Sequence, residues 1–296
     1  MELRTDLAME SKILESPGNK LPRGLELRRE TPHGIPTTVV VLGTKAAAEA
    51  VGKPKGTYIT MELGQVLRRE KESFEHAVLV LAESIQKLLD LSPSLPVLVA
   101  GLGNREITPD AIGPLTADHI LVTRHMIRKM PREFGAFRPV SAVVPGVLGT
   151  TGLESAETVR ALTARTKAAA VIAVDAIAAR DTEKLCSTVQ LSSTGITPGS
   201  GIGNSRLGLD RESLGVPVIA VGVPTVTDAA TMAADLFQRA GQNADEAALR
   251  RASQGMIVTS SDIDRRIREI SRVLAFGINR ALQPHLSLED LTDLTF

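Results

Sequence analysis

The chain has 296 residues, of which 43% are hydrophobic and 23% charged, so it can fold around a substantial core. Its 34 basic side chains equal its 34 acidic ones, and only 2% of its residues are aromatic. These values argue against a disordered chain, a surface that attracts DNA or an anionic membrane, and stacking platforms for single-stranded nucleic acid.

The sequence also limits the metal chemistry and the compartment. The single cysteine, Cys186, excludes an intramolecular disulfide framework and a cysteine-based zinc site. The N-terminus lacks the apolar core of a signal peptide, and no uninterrupted apolar run approaches about 20 residues. We therefore expect a soluble, cytoplasmic protein with no membrane partner.

Four short apolar runs, each closed by glycine, aspartate or proline, predict strands that are buried on both faces. In chain order they cover residues 37–43, 97–103, 171–176 and 216–222. Three longer segments predict helices at residues 74–91, 155–168 and 261–282. This alternation predicts a layered α/β/α fold with a largely parallel central sheet, plus a smaller polar, β-rich elaboration.

Two aspartates follow predicted strands, where open α/β sheets bind their ligands. Asp110 ends the glycine loop "GLGNREITPD", and Asp175 directly follows "VIAV". If their strands are neighbours, the carboxyl groups come close together, and two close acids cannot both ionise cheaply. One then stays protonated and polarises a peptide carbonyl while the other activates water, as in the aspartic proteases. That chemistry needs no metal.

The pattern alone does not select this pair, because a lone aspartate at a strand end is more often a helix N-cap or a turn residue. Asp181, Asp210 and Asp228 fit that structural role more readily than the other two do. Either interpretation is open for Asp110 or Asp175 taken singly.

Two glycine loops invite a nucleotide-binding interpretation that their spacing does not support. After Gly101 and Gly103 the third glycine of the dinucleotide motif is absent, and Glu106 stands in its place. The second loop, at 198–208, does not follow a clear buried strand, and there is no Gly-Lys-Ser/Thr P-loop. Glycine also lets backbone amides approach a substrate chain closely.

Other hydrolase machineries lack their signatures. The five histidines, at 33, 76, 119, 125 and 285, are scattered and contain no His-Glu-x-x-His pair. His119 and His125 are predicted on one helix, where a spacing of six does not place them on one face. The Gly-x-Ser-x-Gly motif of a serine nucleophile is also absent. We predict no metal site and no cofactor.

Six sequence blocks together resemble the spore germination protease family: "RTDLAMES", "VAGLGNREITPDAIGP", "VPGVLGTTGLES", "VIAVDAIAARD", "CSTVQLSSTGITPGSGIGN" and "GVPVIAVGVPTVTDA". They run in order from near the start to about Asp228, and the C-terminal third is matched less distinctively. The resemblance implies an α/β fold similar to the hydrogenase maturation endopeptidases. It also implies an endopeptidase of the spore core that degrades small acid-soluble spore proteins when an endospore germinates.

By motif match, the family's metal-free catalytic acids fall on Asp110 and Asp175. A second set of candidates would form the wall of the substrate site and supply backbone amides to the oxyanion. These are Gly103, Asn104, Thr194, Gly195 and Gly199. The resemblance also implies a homotetramer.

The family is made as a zymogen that removes its own N-terminal segment, and it cuts between an acid and a large apolar residue. Residues 5–8, "TDLA", imitate such a site, which implies self-cleavage between Asp6 and Leu7. The leader would then be residues 1–6, followed by one protease domain at 7–296. Two alternatives remain: a metal-dependent maturation endopeptidase that uses the same acids, and a nucleotide-binding regulator built on the glycine loops.

Overall fold

A nine-stranded sheet runs through the part of the chain that the computed structural model describes, residues 5–15, 21–70, 72–199, 206–253 and 255–295. Its strands are β1 (Leu25–Glu30), β2 (Thr37–Leu42), β3 (Gly56–Glu62), β4 (Val97–Gly101), β5 (Val140–Val143), β6 (Ala170–Ala178), β7 (Thr188–Ser192), β8 (Val218–Asp228) and β9 (Ile257–Val258).

The sheet has a parallel half and an antiparallel half. Its order is β1-β2-β3-β7-β8-β6-β4-β5, with the short β9 paired to the end of β8. The four strands β8, β6, β4 and β5 are parallel to one another. β1, β2, β3 and β7 continue the sheet through antiparallel pairs.

Helices cover both faces of this sheet. They are α1 (Lys12–Glu15), α2 (Lys45–Val51), α3 (Gly64–Leu67), α4 (Ser73–Leu89), α5 (Ile112–Ala117), α6 (Arg124–Lys129), α7 (Pro131–Phe134), α8 (Leu148–Thr151), α9 (Ser155–Thr166), α10 (Arg211–Leu214), α11 (Ala229–Arg239), α12 (Glu246–Ser253), α13 (Ile263–Leu282) and α14 (Leu288–Thr295). Short 3₁₀ helices lie at Ala8–Glu10, Pro32–Gly34, Thr108–Asp110 and Thr182–Lys184.

The main core lies between the sheet and the helices α4 and α13. Ile172 and Val174 of β6 point into it beside Val221 of β8. A smaller core covers the opposite face, where Val159 of α9 packs with Val171 and Ala173 of β6. Since side chains alternate along a strand, Asp175 lies on the same face as Ala173, the face covered by α9.

The predicted α/β class is confirmed, with β2, β4, β6 and β8 at the four predicted runs and the antiparallel half as the β-rich part. The three predicted helices correspond to α4, α9 and α13. The prediction of one helix for His119 and His125 is wrong, because His119 follows the end of α5 and His125 lies in α6. Across the described ranges, no helix has the length and apolar character needed to cross a membrane.

Candidate active site

Asp110 is held by the loop that follows β4. The chain leaves the sheet at Gly101 and turns through Gly103, whose φ is +110°. It enters the 3₁₀ helix that ends at Asp110. The backbone N–H of Asn104 donates to Oδ2 of Asp110 at 2.7 Å, which fixes the carboxyl group against the loop.

The sequence predicts Asp175 at the end of its strand. The structure instead places Asp175 inside β6. β4 pairs with β6 only as far as Val174, so Asp175 is the first residue of β6 beyond the end of its neighbour. The side chain is buried, and Oδ1 accepts the backbone N–H of Ala176 at 2.9 Å. The strand therefore carries the carboxyl group past the last rung of the β4 ladder and into the space next to the Asp110 loop.

Both carboxyl groups line one cavity of about 450 Å³. Burial raises the pKa of Asp175 well above its ordinary value, and the nearby charge of Asp110 raises it further. Burial also raises the pKa of Asp110, while the hydrogen bond from Asn104 acts in the opposite direction. Each carboxyl group accepts one backbone N–H that favours its ionised form, so the two groups differ in burial: Asp175 is the more deeply buried acid.

Arg206 is a site residue that the sequence analysis missed. It lines the same cavity, and its charge lowers the pKa of both Asp110 and Asp175. Its place in the loop "GNSRLG" drew attention to the glycines instead of the arginine. Arg206 is the one cation of the loop at 198–208, but nothing in the sequence relates it to Asp110 and Asp175.

The second set of predicted residues divides between two cavities. Gly103 and Gly199 line the cavity of the carboxyl pair, and Asn104 contacts Asp110 from the loop. Thr194 and Gly195 line an adjoining cavity of about 340 Å³ instead. Residues 200–205 of the second glycine loop lie outside the described residues.

The interpretation as helix caps is confirmed for three other aspartates. Asp181, Asp210 and Asp228 each precede a helix and accept a backbone N–H from its first turn. Asp110 and Asp175 make no such cap. Asp181, Asp210 and Asp228 thus cap the N-termini of helices, whereas Asp110 and Asp175 face the cavity.

The segment with the predicted self-cleavage bond is docked beside the cavity. Asp6 lines it, and the backbone N–H of Asp6 donates to the carbonyl of Ala178 at 2.9 Å. Leu7 is only 1% exposed and packs against Ile177 and Leu185. Glu10, also buried, accepts the backbone N–H groups of Arg180 and Asp181 (2.8 and 3.0 Å). Residues 1–4 of the predicted leader lie outside the described residues.

Within the described ranges there is no group of three or more histidine, cysteine, aspartate and glutamate side chains arranged to hold a metal ion. Among the described residues, the ionisable side chains that line the cavity are the carboxyl groups of Asp6, Asp110 and Asp175 and the guanidinium of Arg206. A protonated carboxyl group can donate to a carbonyl oxygen, and an ionised one can accept a proton from water.

The fold and the site together define an α/β protein whose cleft, at the carboxyl ends of parallel strands, holds one buried and one half-buried acid. Residues 4–243 match the family described as germination protease. A germination protease of Caldanaerobacter subterraneus subsp. tengcongensis is 42% identical over 99% of this chain and 98% of its own. That of Clostridium tetani is 37% identical over 98% of each chain, and that of Bacillus subtilis 42% identical over 79% of this chain and 65% of its own.

The chain therefore belongs to the germination protease family, which makes it a peptidase with a role in spore germination. Among solved structures, the [NiFe] hydrogenase maturation protease HycI of Thermococcus kodakarensis aligns with 66% of this chain and 98% of its own. The TM-score of that alignment is 0.37, with 15% sequence identity.

Proposed function

We propose that this peptidase is an endopeptidase in which Asp110 and Asp175 form the catalytic pair and water is the nucleophile. The observation that supports it is the shared cavity, in which burial and the charge of Asp110 hold the pKa of Asp175 well above its ordinary value. A carboxyl group that stays protonated beside one that can ionise is the arrangement required for acid–base hydrolysis of a peptide bond.

In the proposed mechanism, ionised Asp110 takes a proton from water while the water oxygen attacks the peptide carbonyl carbon. Protonated Asp175 gives its proton to the carbonyl oxygen, so a neutral gem-diol forms and the single negative charge of the pair moves from Asp110 to Asp175. Asp110 then passes its proton to the leaving nitrogen, the carbon–nitrogen bond breaks, and Asp175 recovers a proton from a diol hydroxyl. Both carboxyl groups return to their starting states.

The finer assignments rest on the sequence resemblance and belong to the same proposal. The substrates are small acid-soluble spore proteins in the spore core, and the active form is a homotetramer without a cofactor. Gly103, Asn104 and Gly199 form the wall next to the acids, and Thr194 and Gly195 form the wall of the adjoining cavity. The protein is made as a zymogen that cuts itself between Asp6 and Leu7.

The docked segment bears on how self-cleavage proceeds. The side chain of Leu7 is buried, and we propose that the bond between Asp6 and Leu7 leaves its present position before it is cut. Mild acid favours the half-protonated state of the carboxyl pair, and we therefore expect processing to start as the pH falls.

The test is mass spectrometry of the purified full chain held at mildly acidic pH. The parent is expected to lose its first six residues, while Asp110→Asn and Asp175→Asn stay intact. Asp118→Asn is a matched control, because Asp118 is paired with Arg105 on the protein surface. Normal processing in either of the first two variants would remove that acid from the mechanism.

The metal-dependent alternative predicts a different result with the same protein. Dialysis against a chelator would abolish processing, and added nickel or zinc would restore it. The carboxyl-pair mechanism predicts the same rate of processing before and after chelation. A nucleotide-binding regulator would process nothing and would be stabilised against heat by a nucleotide.

A further inference from the structure

The adjoining cavity of about 340 Å³ is already occupied at its edge by the chain's own N-terminal segment. It shares Asp6, Ile177 and Thr197 with the cavity of the carboxyl pair and is also lined by Lys53 and Gln190. Asp6 thus lies where the two cavities adjoin. The contacts of residues 5–8 reveal what kind of ligand this surface holds.

Gln190 of β7 binds the main chain of this segment with both polar atoms of its carboxamide, Nε2 and Oε1. Nε2 donates to the carbonyl oxygen of Asp6 at 3.0 Å, and Oε1 accepts the N–H of Ala8 at 2.7 Å. Gln190 is buried, so these bonds are shielded from water. One side chain therefore binds the peptide units on both sides of Leu7, whatever the side chains of the bound segment are.

Two further residues, Lys53 and Ala178, bind the segment through three more hydrogen bonds. The ammonium group of Lys53 donates to the carbonyl oxygen of Thr5 at 2.9 Å. Ala178 at the end of β6 accepts the N–H of Asp6 and donates its own N–H to the Asp6 carboxylate, both at 2.9 Å. Of these contacts only the last involves a side chain of the segment. These contacts hold the main chain of residues 5–8, which is extended at Leu7 and enters a 3₁₀ helix at Ala8.

The side chain of Leu7 supplies the apolar anchor. It is 1% exposed and packs with Ile177, Ala179 and Leu185. A fully buried leucine contributes about as much as several hydrogen bonds, so a peptide without a large apolar residue here would bind weakly. The contacts combine main-chain recognition with one apolar pocket.

The strand register connects this surface to the carboxyl pair. Asp175 of β6 and Gln190 of β7 both pair with Gly222 of β8, so the three residues form one row on one face of the sheet. The backbones of Asp175 and Gln190 are two strand spacings apart, about 10 Å. An extended chain covers this distance in about three residues, so the peptide bound by Gln190 lies close to the carboxyl pair.

We infer that Gln190 is a peptide-binding residue of the cleft, which holds the main chain of a polypeptide substrate on either side of a buried apolar residue. In the intact chain, residues 5–8 occupy this site themselves, and a substrate segment has to displace them. The inference rests on the proposed endopeptidase function, but the site is defined by binding and can be tested without catalysis.

The experiment measures binding of a fluorescein-labelled hexapeptide with the sequence of residues 5–10, Thr-Asp-Leu-Ala-Met-Glu. The protein is the full chain with Asp175→Asn to prevent cleavage and Leu7→Asp to release the chain's own segment. We expect the labelled peptide to bind this protein and not the version that retains Leu7. Adding Gln190→Leu should weaken binding by about tenfold or more, the scale of two lost hydrogen bonds.

Gln86→Leu is the matched control, because Gln86 also donates to a main-chain carbonyl, that of Ala281, far from the cleft. It should leave peptide affinity within about twofold. A peptide with aspartate in place of its leucine should not bind. Failure of the hexapeptide to bind, or equal affinity with and without Gln190, would overturn the inference.

Hydrogen exchange gives a second test that leaves Leu7 in place. In Gln190→Leu the amide of Ala8 should exchange about tenfold faster or more than in the parent, with no change in Gln86→Leu. Unchanged exchange at Ala8 would contradict the inference even if Leu7→Asp fails to fold. If the peptide binds through Gln190 but the parent cuts no protein, the proposed function fails and the peptide site stands.

Discussion

Gly103 lies directly against Asp110. A β-carbon built on Gly103 would come within 2.0 Å of the carbonyl oxygen of Asp110 and 2.9 Å of its Oδ1. The φ of +110° at Gly103 is also a conformation that other residues rarely adopt. The absence of a side chain at Gly103 therefore lets the two ends of the loop pack together, with the Asp110 carboxyl group at the cavity.

The first prediction follows from this contact. Gly103→Ala should displace the Asp110 carboxyl group and, if Asp110 has the proposed catalytic role, reduce peptidase activity by about 100-fold, because small shifts of a catalytic group are costly. It should also lower the free energy of unfolding by about 1–3 kcal/mol through backbone strain. Gly149→Ala is the control, since a β-carbon there meets nothing within 4 Å and φ is not positive. Normal activity in Gly103→Ala would show that the contact is not needed.

The second prediction concerns Asp175, whose pKa burial raises well above the ordinary value. A folded state with a raised carboxyl pKa binds more protons than the unfolded chain, so stability present in acid is lost as the pH rises through that raised pKa. Asp175→Asn removes this pH-dependent loss of stability, because asparagine does not ionise. It should raise the Tm at neutral pH by about 2 °C or more, with a smaller gain in acid, and lower activity by about 10²–10⁴-fold.

Asp118→Asn should change the stability with the opposite sign, lowering the Tm at neutral pH. The hydrogen bond from Arg105 lowers the pKa of Asp118, so its contribution to stability is present at neutral pH and is lost in acid. The pair is exposed, which limits the loss on substitution to about 1 kcal/mol or less. Thermal denaturation of both variants across pH checks the two signs. A Tm for Asp175→Asn below that of the parent at neutral pH would contradict the assignment.

The third prediction is that Arg206 sets the pH range of activity. Its charge lowers the pKa of Asp110 and of Asp175, so Arg206→Gln should raise both. Both limbs of the bell-shaped pH–rate profile should then move to higher pH. Arg105→Gln, which removes the partner of Asp118, should leave the profile in place. A profile that moves to lower pH in Arg206→Gln would exclude this role.

The strands that the sequence predicted are those with continuous apolar runs, since burial on both faces leaves a signal in the sequence. β1, with the sequence Leu-Glu-Leu-Arg-Arg-Glu, was missed because it is an edge strand with mostly exposed side chains. β3 and β7 were missed because threonine, glutamine and serine alternate with their apolar residues. Thr60 and Glu62 of β3 pair with Gln190 and Thr188 of β7, on the side of the sheet where Gln190 binds the N-terminal segment.

The candidate site depends on a strand order that no local pattern encodes. Asp110 and Asp175 come together because β4 pairs with β6, and nothing in either motif specifies that pairing. Arg206 reaches the same cavity from a distant loop, and Gln190 comes from the antiparallel half. Sequence patterns predicted the acids, while only the folded structure relates them to the cation and to the docked peptide.

The last prediction concerns Glu10, which anchors the docked segment. Its buried carboxylate accepts the N–H groups of Arg180 and Asp181 and the hydroxyl of Thr5. Glu10→Ala leaves two backbone donors without this acceptor, at a cost of about 1–3 kcal/mol each, most of which we expect to appear as local release of residues 5–10.

If the bond between Asp6 and Leu7 has to undock before it is cut, Glu10→Ala should speed self-processing in mild acid by about tenfold. Mass spectrometry at timed intervals measures the rate, and hydrogen exchange at Leu7 and Ala8 confirms the release. Glu26→Ala, on the exposed strand β1, is the control. Slower processing in Glu10→Ala would mean instead that the docked position is the one from which the bond is cut, and that Glu10 holds the substrate in place.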